Sequence, residues 1–425
     1  MPALTRRDAL RLAGFGGGTI LAGCIEDQNG EGSTPSSTPS STPTSTPSPT
    51  PSPVEPEPPD ELESEWPAPA HDPGLTNHAD VSGPDGPVGA LWEIEIGDEP
   101  TPPVVSGAVA SGASDSGIAG TGAAAFVGAG ESVISADART GEKRWTEDVD
   151  ETIKSVWAVT EELHVVGEST LYGLDPETGD RRWTVETDPV ADAVVTDRGA
   201  YVLRSESDEA LTLARIVDEN VQWRTELDER GLSWGWMVEA GGAILLGGLL
   251  GDVVTWWAVD SETGAVQNRS GDVSHYPVPV AHRDGATYAL EGFYGTLRRF
   301  SLDGNEVDAE WRTGFDDAYG GTWPIAVSDD ALYTHAPDGD EAGLYALDAE
   351  SGDQEWNLNV ETVEALVSTE GSVLVHDGET LRAFAPEDGE ERWQVPVASA
   401  DGGLCVVDDL VIVAGENGLV GYRPG

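Results

Sequence analysis

Eight recurring anchor positions, a repeated strand–turn–strand motif and two complementary partial copies predict an all-β protein, an eight-bladed β-propeller of four-stranded antiparallel blades. The fullest copy of the motif is LYALDAESGDQEW at 344–356, in which a Gly follows the Asp by four residues and a Trp follows the Gly by four. Seven steps between the anchors cover 301 residues, a mean of 43. A period of about 40–50 residues with several strands per unit is typical of a propeller blade. The anchors are Trp92, Trp145, Trp183, Trp223, Asn268, Trp311, Trp356 and Trp393.

Each part of the motif has a physical role. An alternating apolar run predicts a half-buried strand, and Asp-x-x-(Thr/Ser)-Gly predicts a hairpin turn in which the Asp carboxylate accepts backbone N–H bonds. The Gly takes the left-handed backbone conformation that a residue with a Cβ resists. The Trp opens the next strand, where a large flat side chain suits packing between adjacent sheets. The anchor tryptophans are therefore predicted to be structural.

The copies keep this pattern to different degrees. Those at 133–145 and 171–183 keep the Asp, the Gly and the Trp. The others depart at one position or at the turn: Ala385 replaces the Asp in the copy at 381–393, Asn268 replaces the Trp in the copy at 256–268, and shorter turns precede Trp223 and Trp311.

The number of blades follows from the two ends of the repeat region. Seven motifs are complete, and an eighth begins at Leu419 and stops without its last strand. Residues 91–96 form an outer strand that lacks the three strands expected before it. Pairing the two would complete an eighth blade and close the ring, which also removes exposed edges. A ring of seven blades is the alternative.

The repeat (L/V)-x-A-L-D-x-x-(T/S)-G-x-x-x-W resembles the PQQ-like β-propeller repeat. Quinoprotein alcohol dehydrogenases and the outer-membrane assembly lipoprotein BamB share that repeat. The resemblance covers roughly residues 90–425. It implies the fold and leaves the function open, because the motif describes how blades pack and not what the channel binds.

The N-terminal region is interpreted as an export signal with a lipid attachment site. Arg6 and Arg7 resemble a twin-arginine motif, and Leu21-Ala22-Gly23-Cys24 resembles a lipobox. Residues 1–23 are therefore predicted to be a signal peptide, and Cys24 is predicted to carry a lipid that holds the protein at the extracellular face of the cell membrane. No other apolar run reaches the ~18–20 residues that span a bilayer.

Two further segments precede the propeller at 90–425. Residues 24–65 are rich in Ser, Thr and Pro, a composition that cannot bury a core, and are predicted to be a disordered stalk. Residues 66–89 are predicted to be a lead-in that packs across one face or the closing blade. Its His71 and His78 match no metal-ligand spacing, so no metal site is predicted there.

The charge is strongly one-sided. The sequence has 78 acidic and 22 basic residues, a net charge of −56 at pH 7. Self-repulsion of this size opposes compaction at low ionic strength, and molar salt shortens the Debye length to about 3 Å and relieves it. The composition therefore favours a halophilic archaeal source. A nucleic-acid partner is excluded because no basic patch exists.

Aromatic residues cluster in the segments that lead into the fourth, fifth and sixth units, whereas the corresponding segments elsewhere are small or acidic. We expect them to form an aromatic sector at one mouth of the channel that binds a peptide, a carbohydrate or a flat cofactor. The competing interpretation is that these rings only fill the axis. Trp157 is predicted to enter the second unit, and Phe293 and Tyr294 are predicted to lie in the loop between the second and third strands of the fifth unit. The candidate binding residues are Trp157, Trp234, Trp236, His275, Tyr276, Phe293, Tyr294, Tyr319 and Trp323.

A quinone cofactor is not expected. Quinoprotein dehydrogenases hold PQQ between a Trp and a disulfide of adjacent cysteines, beside a calcium bound by Glu, Asn and Asp. This chain has no Cys-Cys pair, and Cys405 lies in an apolar strand where burial would make it inert. Carboxylates such as Asp316-Asp317 leave calcium as an unsupported hypothesis. No catalytic residue is predicted.

Two functions from different classes fit these observations. The first is a lipid-anchored, monomeric scaffold that presents its loops to an envelope or membrane protein. The alternative is a quinoprotein-like oxidoreductase that holds a cofactor in the central channel.

Overall fold

The computed structural model describes residues 56–425 except 98, 107–121, 160, 188, 205–209, 231–233, 251–252, 270–276, 292–295, 304–305, 316–323, 337–341, 398 and 416–417. These residues form eight four-stranded antiparallel sheets arranged as the blades of a propeller, one of which has an added fifth strand. The prediction of eight blades is confirmed, and the seven-bladed alternative is wrong. No helix occurs in the described part of the chain.

The strands follow the chain in order around the ring. Two lie before the first complete blade: β1 (His78–Ala79) and β2 (Val88–Ile94). Blade 1 comprises β3 (Val104–Ser106), β4 (Ala124–Ala129), β5 (Ser132–Asp137) and β6 (Lys143–Asp148). Blade 2 comprises β7 (Ile153–Trp157), β8 (Leu163–Gly167), β9 (Thr170–Leu174) and β10 (Arg181–Glu186). Blade 3 comprises β11 (Val190–Thr196), β12 (Gly199–Arg204), β13 (Ala210–Val217) and β14 (Asn220–Arg230). Blade 4 comprises β15 (Trp234–Ala240), β16 (Ala243–Leu250), β17 (Val253–Asp260) and β18 (Val266–Arg269).

The second half of the ring repeats this arrangement. Blade 5 comprises β19 (Pro277–Arg283), β20 (Ala286–Glu291), β21 (Thr296–Asp303) and β22 (Glu306–Gly314). Blade 6 comprises β23 (Ile325–Val327), β24 (Ala331–Ala336), β25 (Gly343–Asp348) and β26 (Gln354–Leu358). Blade 7 comprises β27 (Ala365–Thr369), β28 (Val373–His376), β29 (Thr380–Phe384) and β30 (Glu391–Pro396). Blade 8 takes β31 (Gly403–Val407), β32 (Leu410–Gly415) and β33 (Gly418–Pro424) from the C-terminal region.

The ring closes as the sequence predicts. Strand β2 pairs antiparallel with β33, with Trp92 opposite Gly421 and Ile94 opposite Leu419. The N-terminal strand thus supplies the outermost strand of blade 8. Closure of this kind leaves no open edge between the first and last blades.

The turn of the repeat is held by its Asp, as the Asp348 turn shows. The Asp348 carboxylate accepts the backbone N–H of Ser351 at 2.6 Å and of Glu350 at 3.1 Å. Hydrogen bonds from Ser351 keep the pKa of Asp348 below its ordinary value. Gly352 follows with φ 73°, the left-handed conformation for which the motif requires glycine.

Four of the anchor tryptophans bond to the next blade. Their indole Nε1–H groups donate to backbone carbonyls: Trp92 to Ala138 at 3.0 Å, Trp145 to Pro176 at 3.1 Å, Trp311 to Ala349 at 3.2 Å and Trp356 to Pro386 at 2.8 Å. Each acceptor follows the motif Asp position of the next blade. A Cβ built on the turn glycine of that blade would lie 3.0 Å or less from the indole, so only glycine lets the ring approach. We call this arrangement the Trp–Gly seam.

Candidate functional site

The inner strands of the eight blades surround the axis and define its two ends. Because each blade is antiparallel, every inner strand runs from the face that carries the connections between blades to the face that carries the first hairpin of each blade. We call these the connection face and the hairpin face. The sequence predicts the aromatic sector on the connection face.

Residues 63–82, which we call the strap, run around the axis on the hairpin face. Their backbone groups pair with residues at the ends of inner strands in six blades. The Val105 N–H of blade 1 donates to the Trp66 carbonyl at 2.8 Å, and the Trp66 N–H donates to the Val105 carbonyl at the same distance. Further round the ring, five more backbone N–H groups donate to strap carbonyls at 2.7–2.9 Å: Ala158 to Pro67, Glu239 to Pro73, His282 to Gly74, Val327 to Thr76 and Ser368 to Asn77. Within the strap, β1 pairs in parallel with β27.

The strap is packed into the ring. Trp66 and Ala68 are fully buried, and Ala79 is 1% exposed. Trp66 joins a core cluster that includes residues of blades 7, 8 and 1. At Gly74, a Cβ would lie 2.2 Å from the His282 carbonyl oxygen, so this close approach requires glycine. The strap is therefore an integral part of the folded ring.

Three strap residues other than glycine have left-handed backbone conformations. They are His71, Leu75 and Asn77, with φ values of 76°, 56° and 50°. Such conformations cost free energy and persist when surrounding contacts fix them. For His71 and Asn77, hydrogen bonds supply these contacts: the His71 N–H donates to Ala68, and the Asn77 side-chain amide donates to the Ile325 carbonyl at 2.9 Å.

An ion-pair cluster fixes the outgoing end of the strap to blades 5 and 6. The Arg283 guanidinium lies 3.0 Å from the Asp80 carboxylate and 2.6 Å from that of Asp329. Asp80 also lies 3.3 Å from Nε2 of His78, whose Nδ1 is 2.8 Å from Ser368 Oγ in blade 7. The cluster thus connects the strap with three blades.

The same cluster shifts two pKa values. Burial, together with the nearby Arg283 charge, lowers the pKa of His78 to about 4, so the ring is neutral at pH 7. Burial acts to raise the pKa of Asp80, but the hydrogen bond and charge of Arg283 outweigh it and leave this pKa below its ordinary value. Asp80 is therefore charged and His78 uncharged under neutral conditions.

Two clefts open beside the strap. One, of about 310 Å³, is lined only by strap residues, including His71, Asp72 and Asp80. The other, of about 550 Å³, lies between the incoming and outgoing chain and the turns of blades 7 and 8. Its charged lining residues are Glu61, Glu63, Asp80, Glu370, Asp408, Asp409 and Arg423. In the described part of the chain, no group of three or more His, Cys, Asp or Glu side chains is arranged to hold a metal ion.

The structure places two of the predicted aromatic residues in packed interiors. Trp157 ends β7 on the hairpin face, is 2% exposed and donates its indole N–H to Ser155 Oγ at 2.9 Å. This corrects the expectation that it enters the second unit, because the strand begins four residues earlier, at Ile153. Trp236 is 6% exposed and packs with residues of blades 5 and 6.

The side chains of the remaining aromatic candidates lie outside the part of the chain that the structure describes. Trp234 begins β15, although its side chain is not among those described. His275, Tyr276, Phe293, Tyr294, Tyr319 and Trp323 lie outside the described residues. Arg6, Arg7 and Cys24 lie outside them as well. The aromatic sector therefore stays a prediction.

Sequence reasoning missed the course of the strap around the axis. Its buried face is made of small and apolar residues between prolines, in Trp66-Pro67-Ala68-Pro69-Ala70, followed by Gly74. That pattern is a signal for a buried extended segment, since proline-rich chain avoids regular strands and small side chains permit close backbone contact. The sequence contains no periodicity that would assign each residue to a blade.

The residues described do not fit a quinone site of the quinoprotein kind. Cys405 is fully buried in β31, and burial raises its pKa well above the ordinary range. The sequence has no neighbouring cysteine to form the disulfide on which the cofactor would stack. We therefore derive no chemistry through such a group.

Fold and repeat together define a class: a closed propeller built from PQQ-like repeats, with an N-terminal segment that closes the last blade. A family profile described as outer membrane protein assembly factor BamB matches residues 89–213 and 294–425, more than half of the chain. The chain belongs to this family. No curated protein sequence matches it significantly.

Solved structures share the fold at low sequence identity. BamB from Moraxella catarrhalis is 16% identical, with a TM-score of 0.53 over 80% of this chain and 100% of that one. A quinohemoprotein alcohol dehydrogenase from Comamonas testosteroni is 13% identical, with a TM-score of 0.59 over 85% of this chain and 80% of that one. Sqt1 from Saccharomyces cerevisiae is 12% identical, with a TM-score of 0.53 over 71% and 92%. Among the described residues, no helix is long and apolar enough to cross a membrane.

Proposed function

We propose that the protein is an exported, lipid-anchored scaffold that holds an envelope or membrane protein against its connection face. The observation that carries this proposal is the strap. Its backbone bonds tie six blades together around the axis on the hairpin face. A disc with its own chain bound along one face is suited to presenting the other face to a partner.

The course of the chain before the strap supports this orientation. The Arg423 guanidinium donates to the Glu57 carbonyl at 2.6 Å, and that of Arg139 donates to the Asp60 carbonyl at 2.5 Å. The described chain therefore begins on the hairpin face, where blade 8 meets blade 1. A stalk that leads from there to a lipid on Cys24 would attach at the hairpin face and leave the connection face clear of the tether.

The composition supports a surface location at high salt. Nearly all of the Asp and Glu side chains in the described turns are exposed or half-exposed, and a net charge of −56 is tolerated best where salt screens it. We propose a halophilic archaeon as the source on this ground.

The test compares the two faces by photo-cross-linking in native high-salt membranes. A benzophenone amino acid at Glu361, exposed in the connection between blades 6 and 7, should form a discrete adduct with a membrane-associated protein. The matched control is Glu370, exposed on the hairpin face of blade 7, which should form none. Adducts from Glu370 alone, or from neither site, would contradict the proposal.

The oxidoreductase alternative is tested on the same material. Protein purified at high salt should show no visible absorption band if the scaffold proposal holds. A band that disappears on unfolding would instead favour a cofactor in the channel. Replacing Cys24 with Ser should release the protein from membranes, and unchanged partitioning would remove the lipid anchor from the proposal.

A further inference from the structure

The peptide bond between Asp72 and Pro73, in the strap, has a composition that favours its own hydrolysis. Pro73 has no backbone N–H, so its nitrogen cannot attack the Asp72 side chain to close a cyclic imide. The intramolecular reaction that is left is attack of the carboxylate on the Asp72 carbonyl carbon, in which nucleophile and reacting bond belong to one residue. An Asp–Pro bond is therefore a chemically weak point in a chain. This sequence contains three, at 72–73, 175–176 and 188–189.

The bond after Asp175 serves as the reference, because Asp188 lies outside the described residues. The Asp175 carboxylate caps the motif turn of blade 2. It accepts the backbone N–H groups of Glu177 at 2.9 Å and Thr178 at 3.0 Å, and the Arg182 guanidinium donates to it at 2.8 Å. Three donors and a full positive charge hold this carboxylate in the turn, which weakens it as a nucleophile.

The Asp72 carboxylate lies over its own turn and is held differently. It accepts the Thr76 hydroxyl, its Oδ1 is 3.3 Å from the Thr76 N–H nitrogen, and a Cβ built on Gly74 would lie 3.1 Å from that oxygen. The Asp72 carbonyl accepts the Leu75 N–H at 3.0 Å, which polarises the carbon to be attacked. Among the described residues, His71 is the one basic side chain within ion-pair distance of Asp72, at 3.4 Å. No arginine or lysine of the described chain therefore offsets the charge of this carboxylate.

The turn is constrained on both sides of the bond. His71 and Leu75 have left-handed φ values of 76° and 56°, which cost free energy. The Pro67 carbonyl before the bond and the Pro73 carbonyl after it accept backbone N–H groups of blades 2 and 4. The Asp72 side chain is 29% exposed, so water reaches the site. Hydrolysis between the two fixed points removes the requirement that both left-handed residues be held by one continuous chain.

We propose that the protein cleaves its own chain between Asp72 and Pro73. A carboxylate oxygen of Asp72 bonds to the carbonyl carbon of the same residue, the bond from that carbon to the Pro73 nitrogen breaks, and the nitrogen takes a proton from water. The five-membered anhydride that remains reacts with water and leaves a C-terminal Asp72 with two free carboxyl groups. One water molecule is consumed for each bond that is cut, and no other reactant is needed.

The cut would leave a molecule of two chains. Residues 56–72 would stay bound, because Trp66 is fully buried and its backbone pairs with Val105. All eight blades, including the outer strand β2, belong to the chain that begins at Pro73. The lipid-anchored stalk proposed above would then hold the ring through non-covalent contacts alone. The cleavage does not depend on the proposed scaffold function, although its consequence for the tether does.

The experiment incubates purified full-length protein, folded in molar KCl, and follows the chain by intact mass and denaturing gel electrophoresis. A piece that begins at Pro73 should accumulate at least about tenfold faster than a piece that begins at Pro176. Asp72→Ala removes the nucleophile and should abolish the first piece, with circular dichroism as the check that the variant is folded. The matched control is Asp175→Ala, a change that the repeat tolerates at Ala385, and it should leave the rate at 72–73 unchanged.

Unfolding the wild type in guanidinium separates the effect of the turn from the general weakness of Asp–Pro bonds. The bonds after Asp72 and Asp175 should then be cut at similar rates, because neither carboxylate is held. The proposal would be overturned by an intact folded wild type, by equal rates at the two bonds in folded protein, or by a rate ratio that unfolding leaves unchanged. The same piece from Asp72→Ala would also overturn it, since a protease would then be responsible. None of these outcomes depends on the membrane cross-links, so the proposed function is tested separately.

Discussion

The rim of the propeller and its hairpin face hold the same blades together by different means. On the rim, a Trp–Gly seam recurs between successive blades and depends on shape and on one indole hydrogen bond, as for Trp356 and Pro386 at 2.8 Å. On the hairpin face, the strap occurs once and depends on backbone hydrogen bonds and on the Arg283 cluster. The indole-to-carbonyl bonds of the four seams involve no titratable group, whereas the strap contains His78, whose pKa lies near 4.

The seams themselves show why the turn glycine matters. Trp183 has no turn glycine opposite it in blade 3, and its indole donates instead to Glu162 of its own blade at 3.1 Å. Where the sequence has Asn268 in place of Trp, the next blade also has the shorter turn at 303–305. The seam contact thus needs both residues: Trp183 is kept where the turn glycine is absent, but its indole then bonds within its own blade.

The largest expected effect comes from removing a seam tryptophan. Trp356→Ala should lower the free energy of unfolding by about 3–5 kcal/mol, because it leaves a large cavity between blades 6 and 7. Denaturant unfolding in molar salt measures this. Trp356→Phe is the control, since it keeps most of the ring and should lose distinctly less. A loss below about 1 kcal/mol for the alanine variant would show that the seams carry little of the stability.

The strap should show a pH dependence that the indole bonds of the seams lack. The unfolded chain takes up a proton at His78 near pH 6.5, but the folded protein does so only near pH 4, so stability falls as the pH drops between these values. The shift corresponds to about 3 kcal/mol. Wild-type stability relative to His78→Gln should therefore decline by up to that amount from pH 7 to pH 4. A constant difference across this range would show that His78 is not buried as described.

A smaller effect should separate close packing from backbone conformation at the seam glycines. Gly352→Ala places a Cβ 2.5 Å from Trp311 at a φ of 73°, whereas at Gly285 the φ is 82° and nothing lies within 4 Å. Gly285→Ala should cost about 1 kcal/mol from backbone strain alone. Gly352→Ala should cost about 1–2 kcal/mol more, because the indole must move. Equal losses in thermal unfolding would mean that the Trp–Gly contact contributes nothing.

The blades could be predicted from the sequence because the residues that determine each repeat are close together in the chain. An Asp that caps a turn, a Gly with positive φ and a Trp eight residues after the Asp are all set within one strand–turn–strand unit. Ring closure was predictable too, since β2 and β33 are complementary fragments of one blade. The position of Trp157 could not be predicted in the same way. The two ends of a strand lie on opposite faces of the ring, so an error of four residues in the start of β7 moves Trp157 from one face to the other.

What the sequence determined by itself is the repeat, the count of eight blades and the excess of negative charge, because local turn chemistry, hydrophobic alternation and composition need no distant partner. The tertiary structure decided the path of the strap, the burial of His78 beside Arg283, and the exposure of Val266 on the outer strand of blade 4. Each of these depends on which blades lie beside a residue, and contacts between residues as far apart as His78 and Ser368 leave no periodic trace in the chain.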